Sequence, residues 1–352
     1  MSRCFAVMAI MVLGLTAAVQ SHGQEAPKSP LVTDPVYTKP QHLVDIDHGR
    51  RLNIYCRGSG APTVVFDAGL GESTSTWGLV QPAIAVKTRT CSYDRAGLGF
   101  SDPATRPGTT LNIADDLHRL LQAAHIAPPY ILVGHSSAGM NVRVFADRYP
   151  KEVVGLVLID PSHEDQSQRE WKIGPPNWNG YAEWEASLKE QRLCVDEAKH
   201  GFVKGTEAYK KCVPEPDPYM SQAINDAATR VWSTASWQSA ALSERENIFY
   251  KSADETRATR RDFGDMPIIV LTHAPYPKAK DETQEIRDQR TLVWEQMHNE
   301  VAAMSTHGVN EIVSKTGHFI QLDRPQIVID AIEQVMAIAK SQSQQSQPAL
   351  PR

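Results

Sequence analysis

The sequence predicts an α/β fold, and three observations carry that expectation. Short apolar runs separated by turn residues fill the first third of the chain, and beyond about residue 110 segments of helical period alternate with further apolar runs. Val153 to Ile159 is almost unbroken in its apolar character, as expected of a strand covered by helices on both faces. Between these, Tyr130-Ile-Leu-Val-Gly-His-Ser-Ser-Ala-Gly139 reads as a strand, a very tight turn and a helix, with Ser136 at the apex. A residue at such an apex is forced toward a strained backbone, and its neighbours two places either side must be small; Gly134 and Ala138 meet that demand. Ser136 is therefore a candidate nucleophile.

Taken in order, the chain begins with a lone Arg3, an apolar core from Phe5 to Val19, and Ser21-His22-Gly23, which puts small residues three and one before a cut after Gly23. Residues 1–23 read as a secretory signal peptide. The apolar run falls short of the roughly 18 to 20 residues needed to span a bilayer, so no stable membrane anchor is expected. Cys4 lies too early to be a lipidated residue beside the cut. Removing the segment leaves 352 − 23 = 329 residues, and the loss of Arg3 moves the formal charge from −5 to −6. Lys and Arg are scattered rather than clustered, which argues against a nucleic-acid partner.

A secreted or periplasmic location follows, and there the remaining Cys56, Cys91, Cys194 and Cys212 favour disulfides. Four cysteines allow three pairings. Position favours Cys56 with Cys91 and Cys194 with Cys212, because each pair falls within one region of the chain. A metal site is not expected, since no Cys-x-x-Cys or close Cys and His spacing supports zinc.

Residues 24–40 are polar and carry four prolines, which predicts an extended linker. The first part of a core domain, 41–162, then holds strands at His42 to Ile46, Leu52 to Cys56, Thr63 to Asp67 and Thr88 to Tyr93, with Asp47-His48-Gly49 as a hairpin turn. Leu111, Ile113, Leu117, Leu120 and Leu121 mark a helix to Ala124 that Thr110 with Asn112 can cap. Pro128 and Pro129 stop it before the strand Tyr130 to Val133. The helix after Ser136 runs to Tyr149, where Pro150 ends it.

The alternation lapses from 163 to 264, a segment holding five of the seven tryptophans, Trp171, Trp178, Trp184, Trp232 and Trp237. It reads as a helical cap inserted over the mouth of the core. The core resumes over 265–340 with a strand at Pro267 to Thr272, a helix at Gln284 to Met304, a strand at Val309 to Val313 and a helix at Pro325 to Ala339. Residues 341–352, rich in Ser, Gln and Pro, predict a disordered tail.

A serine hydroxyl needs a base, a carboxylate to orient that base, and amide donors for an oxyanion. His318 in Lys315-Thr316-Gly317-His318-Phe319 follows the last strand, where active-site groups of a parallel sheet collect, and is the candidate base. His163 and His273 also follow strands and are rivals, while His135, beside the nucleophile, is expected to point elsewhere. The amide of Ser137 is one oxyanion donor. Leu70, in the Ala68-Gly69-Leu70-Gly71 loop, is the other. Asp160, at the end of Val153 to Ile159, is the preferred carboxylate, and Asp281 is the alternative acid.

Four motifs, Ala68-Gly69-Leu70-Gly71 with Trp77, Tyr93-Asp94-Arg95-Ala96-Gly97-Leu98-Gly99-Phe100-Ser101, Gly134-His135-Ser136-Ser137-Ala138-Gly139, and Gly317-His318-Phe319, occur in this order. In them the chain resembles the serine esterases of the α/β-hydrolase superfamily, from about Gln41 to Ala339. The resemblance implies an eight-stranded, mostly parallel sheet flanked by helices. It also makes the strands of Cys56 and Cys91 neighbours and gives Asp94, Gly97 and Gly99 a structural role. Ala138 stands where the second elbow glycine is usual, and Ala68 where a histidine often precedes the oxyanion glycine. No acidic residue closely follows the strand ending at Thr272, and some members take theirs from the position of Asp160.

The implied activity is cleavage of a small-molecule carboxylic ester without a cofactor. Amidase or peptidase, lactonase, carbon–carbon bond hydrolase and acyltransferase chemistry use the same groups. A noncatalytic ligand-binding protein of this fold is the remote alternative. Dehalogenases and epoxide hydrolases of this fold use an aspartate nucleophile, against which Ser136 argues.

Overall fold

Eight strands account for the apolar runs: β1 (Leu43–Asp47), β2 (Arg50–Arg57), β3 (Thr63–Asp67), β4 (Thr90–Tyr93), β5 (Tyr130–His135), β6 (Val153–Ile159), β7 (Ile268–His273) and β8 (Gly308–Val313). In this computed structural model, which describes residues 27–29, 31–259, 262–276 and 282–345, they form one sheet in the order β1-β2-β4-β3-β5-β6-β7-β8. β2 runs antiparallel to both neighbours and the other pairings are parallel. The eight-stranded, mostly parallel sheet that the family resemblance implies is present. His48 and Gly49 make the β1–β2 turn with φ of 49° and 94°, the left-handed pair that a two-residue hairpin with the twist of its strands requires.

Three helices accompany the first strands, α1 (Gln81–Ala85), α2 (Thr110–Ala123) and α3 (Ala138–Arg148). Six more lie between β6 and β7: α4 (Gln166–Glu170), α5 (Gly180–His200), α6 (Glu207–Cys212), α7 (Gln222–Trp232), α8 (Ala235–Ile248) and α9 (Lys251–Arg257). The last three are α10 (Gln284–Ala302), α11 (Ile320–Asp323) and α12 (Pro325–Gln345). Alternation along β3 shows how the two faces are covered. Val64 and Phe66 pack with Trp77, Ile84, Val328, Ile332 and Val335 on one side, while Val65 joins Leu117, Leu120, Val142 and Phe145 on the other.

Several local expectations need correcting. Thr109, not Thr110, caps α2, its hydroxyl accepting from the Asn112 N–H. The linker is extended only in part. Pro35–Thr38 forms a 3₁₀ turn, Val32 pairs with Met220, and Tyr37 is buried with Tyr219, Ile224 and Phe319. Burial of these apolar side chains outweighs the extended preference of the surrounding prolines. The tail expected from residue 341 is helical as far as Gln345, where good helix formers continue α12 and Gln342 Nε2 reaches the Asp265 carbonyl at 2.7 Å. Residues 1–23 and 346–352 lie outside the described residues.

Cys56 and Cys91 sit directly opposite each other on β2 and β4 and are bonded, and Cys194 in the second half of α5 is bonded to Cys212 of α6. The loops they close span 35 and 18 residues. Replacing either pair is expected to lower the unfolding free energy by about 2–4 kcal/mol, with the longer loop costing about 0.5 kcal/mol more. Urea unfolding of the two double variants checks both numbers.

Candidate active site

Parallel register aligns the carboxyl ends of the central strands. Asp67 of β3 lies opposite Gly134 of β5, His135 opposite Ile159 of β6, and His273 of β7 opposite Val313 of β8. The residues leaving these ends therefore share one edge of the sheet. Ser136 sits in the first of them with φ 54°, its N–H bonded to the Ile159 carbonyl at 3.0 Å and its carbonyl accepting from Ser162 and Gly139. A Cβ on Gly134 would come within 2.7 Å of the Ala138 carbonyl oxygen, so the turn closes only over glycine.

Asp160 is fully buried, also left-handed at φ 45°, and accepts from four donors. His318 Nδ1 lies 2.5 Å from Oδ2 and His273 Nδ1 lies 2.6 Å from the same oxygen, while Trp294 Nε1 and the His273 N–H reach Oδ1 at 2.8 and 3.1 Å. Burial alone would raise its pKa, but the two imidazoles and their hydrogen bonds hold it well below the usual carboxylate range. The trio is made of metal-ligating residue types. Its separations are those of hydrogen bonds, which put protons rather than an ion between the heavy atoms.

The sequence paired His318 with Asp160, and the structure brings them together. His273, considered only as a rival base, shares the carboxylate instead. Burial works against protonating His273, yet Asp160 outweighs it and raises its pKa. At His318 burial prevails over the pull of Asp160, and the neighbouring His135 and His273 add to the lowering. The side chain of His318 is still 31% exposed, so a reactant can reach it. With Nδ1 donating to Asp160, Nε2 is the basic nitrogen.

The pH dependence follows from the sign of that shift. A base with a lowered pKa stays neutral further into acid, so the acid limb of kcat/KM should have its midpoint below the ordinary imidazole value of about 6.5. A midpoint at or above about 6.5 in a pH–rate profile would contradict this.

Both ring nitrogens of His135, beside Ser136, are engaged by other residues. Its Nε2 lies 2.9 Å from the His318 carbonyl oxygen, and its Nδ1 lies 3.2 Å from Oε2 of Glu72. Both partners can accept, a setting that favours the protonated ring. Burial opposes that charge, but Glu72 outweighs it and raises the His135 pKa. Glu72, which sequence reasoning missed, also accepts from the Gly69 N–H at 2.8 Å. His163 stands apart, its Nδ1 accepting from the Asp165 N–H, and burial lowers its pKa to about 4. Asp281 lies outside the described residues.

The N–H groups of Leu70 and Ser137 have no protein acceptor among the described residues. Beside Leu70 opens a cleft of about 370 Å³, walled by Glu72 and Phe319 and, from the segment between β6 and β7, by Met220, Trp232 and Trp237. That volume suits a substituent of substantial size.

The alpha/beta hydrolase fold family matches residues 62–325. The chain belongs to that family. YqjL, an uncharacterized protein of Bacillus subtilis (strain 168), is 23% identical to this family member over 287 residues, 82% of this chain and 88% of YqjL. Among solved structures, the epoxide hydrolase CorEH is similar with a TM-score of 0.62 at 18% identity, covering 84% of this chain and 98% of that one. A haloalkane dehalogenase loop variant from Bradyrhizobium elkanii has a TM-score of 0.64 at 17% identity, covering 86% and 98%. Est816, described as an N-acyl homoserine lactone degrading enzyme, gives 0.56 at 16%, covering 83% and 99%. At these identities the three structures share the alpha/beta hydrolase fold, and the reacting groups must be read from this chain's own residues.

Proposed function

We propose that the protein is a serine hydrolase that cleaves a carboxylic ester through an acyl-enzyme on Ser136. The observation that carries the reading is the Asp160–His318 pair at the sheet edge where a serine occupies the left-handed elbow. Ser136 Oγ bonds to the acyl carbon as His318 Nε2 takes its proton. The Leu70 and Ser137 amides stabilise the oxyanion, and Asp160 stabilises the imidazolium. The C–O bond then breaks, with the proton passing to the departing alcohol. Water, deprotonated by the same imidazole, releases the acid and restores the serine. The insertion acts as a cap that selects the group filling the cleft. Two disulfides support an exported, oxidising location.

Peptide mapping after reaction with a fluorophosphonate tests the nucleophile, and the label is expected on the peptide bearing Ser136. Product analysis on matched ester, amide and lactone substrates tests the bond cleaved. Faster turnover of the amide or the lactone would replace the esterase reading with the corresponding one, and no labelling would favour a noncatalytic ligand-binding protein.

A further inference from the structure

Helix α8 reaches from the insertion to the loop that carries Leu70. We propose that Glu244, acting through Arg95 and the Gly71 amide, and Trp237 are positioning residues that aim the Leu70 N–H at the oxyanion. The inference rests on the serine-hydrolase reading above.

The Gly69 carbonyl and the Leu70 N–H belong to one trans peptide and point in opposite directions, so fixing one aims the other. Arg95 Nη2 holds the Gly69 oxygen at 2.7 Å, and the Glu72 N–H holds it at 3.0 Å. Arg95 is buried, and all five of its N–H donors are used. Nη1 reaches Asp67 at 2.7 Å and the Ala68 carbonyl at 2.6 Å, while Nη2 and Nε reach Glu244 at 2.9 and 2.6 Å. Two of the guanidinium's five donors are thus held by a carboxylate 149 residues away in sequence.

Gly71 is held by the same helix at both of its polar groups. Its N–H donates to Glu244 Oε2 at 3.1 Å, and its carbonyl accepts from Trp237 Nε1 at 3.1 Å. The residues on either side of Leu70 are therefore fixed, while its own N–H has no protein acceptor among the described residues. Trp237, with Ala241 and Arg245 of the same helix, also walls the cleft. One element thereby sets both the room for the substrate and the direction of a donor.

The test compares wild type, Glu244→Gln and Trp237→Phe on 4-nitrophenyl butyrate, with active sites counted by fluorophosphonate titration taken to completion. Glu244→Gln is expected to lower kcat per titrated site about 10- to 100-fold with KM within about two-fold, because a misdirected donor weakens only the transition state. A trifluoromethyl ketone, whose adduct with the serine carries the oxyanion, should lose affinity in parallel. Trp237→Phe keeps an aromatic side chain but removes the indole N–H and trims the cleft wall, so its KM shifts with the wall and the expected result is a smaller loss in kcat per titrated site. Should Glu244→Gln fail to fold, Trp237→Phe decides alone. Unchanged kcat per titrated site, with only melting temperature or titre reduced, would make these contacts structural and overturn the proposal. A wild type that takes no label would overturn the serine-hydrolase reading itself, and the proposal with it.

Discussion

Asp160→Asn is expected to lower kcat about 10⁴-fold without abolishing the fold. The reason is the direction of one hydrogen bond. In the native site Oδ2 accepts from His318 Nδ1, which leaves Nε2 unprotonated, the atom that takes the serine proton in the proposed reaction. An amide nitrogen in that place donates, so the imidazole must turn its unprotonated nitrogen toward residue 160 and carry its proton on Nε2. The base is then present in the wrong tautomer. His273 loses its counter-charge at the same moment, since it shares the same oxygen, and its raised pKa should fall because the burial that opposes its charge is no longer outweighed. kcat normalised to titrated sites separates this from partial unfolding. Asp281→Asn is expected to leave kcat near wild type. The reverse pattern, a mild Asp160→Asn and a crippled Asp281→Asn, would move the acid away from β6.

What the sequence made legible is what one element can express by itself. Strand β5, the small residues around Ser136 and helix α3 are neighbours in the chain, so steric demand and periodicity reveal them together. Asp160 was visible because it directly follows a strand and His318 because it lies in the short loop after one, and parallel strands end at a common edge. The remaining partners depend on which distant side chains converge. Nothing in the pattern of α8 marks Glu244 as the counter-ion of Arg95, and nothing near Gly71 marks Glu72 as the partner of His135. The nearest sequence signal was the loop from Tyr93 to Ser101, read as structural. Asp94 indeed holds that loop through Asn53, Thr74 and Phe100, but Arg95 beside it faces the oxyanion loop. His273 was visible as a strand-end histidine. Its role was not, because two imidazoles on one carboxylate oxygen is a fact of three-dimensional packing.

Ser136→Ala and Ser136→Gly are both expected to lose about 10⁶-fold in kcat, yet to differ in stability. Without Oγ no acyl-enzyme forms, and His318, Asp160 and the two amides can assist only the slow direct attack of water. The backbone distinguishes the two variants. At φ 54° any Cβ is crowded against the following carbonyl, at a cost of about 1–2 kcal/mol. Alanine keeps that Cβ and that cost. Glycine removes it but forfeits about 0.5–1 kcal/mol of backbone entropy on folding, so the net gain over alanine should be about 0.5–1 kcal/mol. Comparing the two variants with each other, rather than with serine, cancels the loss of the hydroxyl. A higher urea midpoint for glycine would show that the elbow is held against a backbone preference by the Ile159, Ser162 and Gly139 hydrogen bonds that clamp it. A lower one would mean that the surrounding contacts favour this conformation whatever the side chain, and the strain would then have no part in presenting the nucleophile.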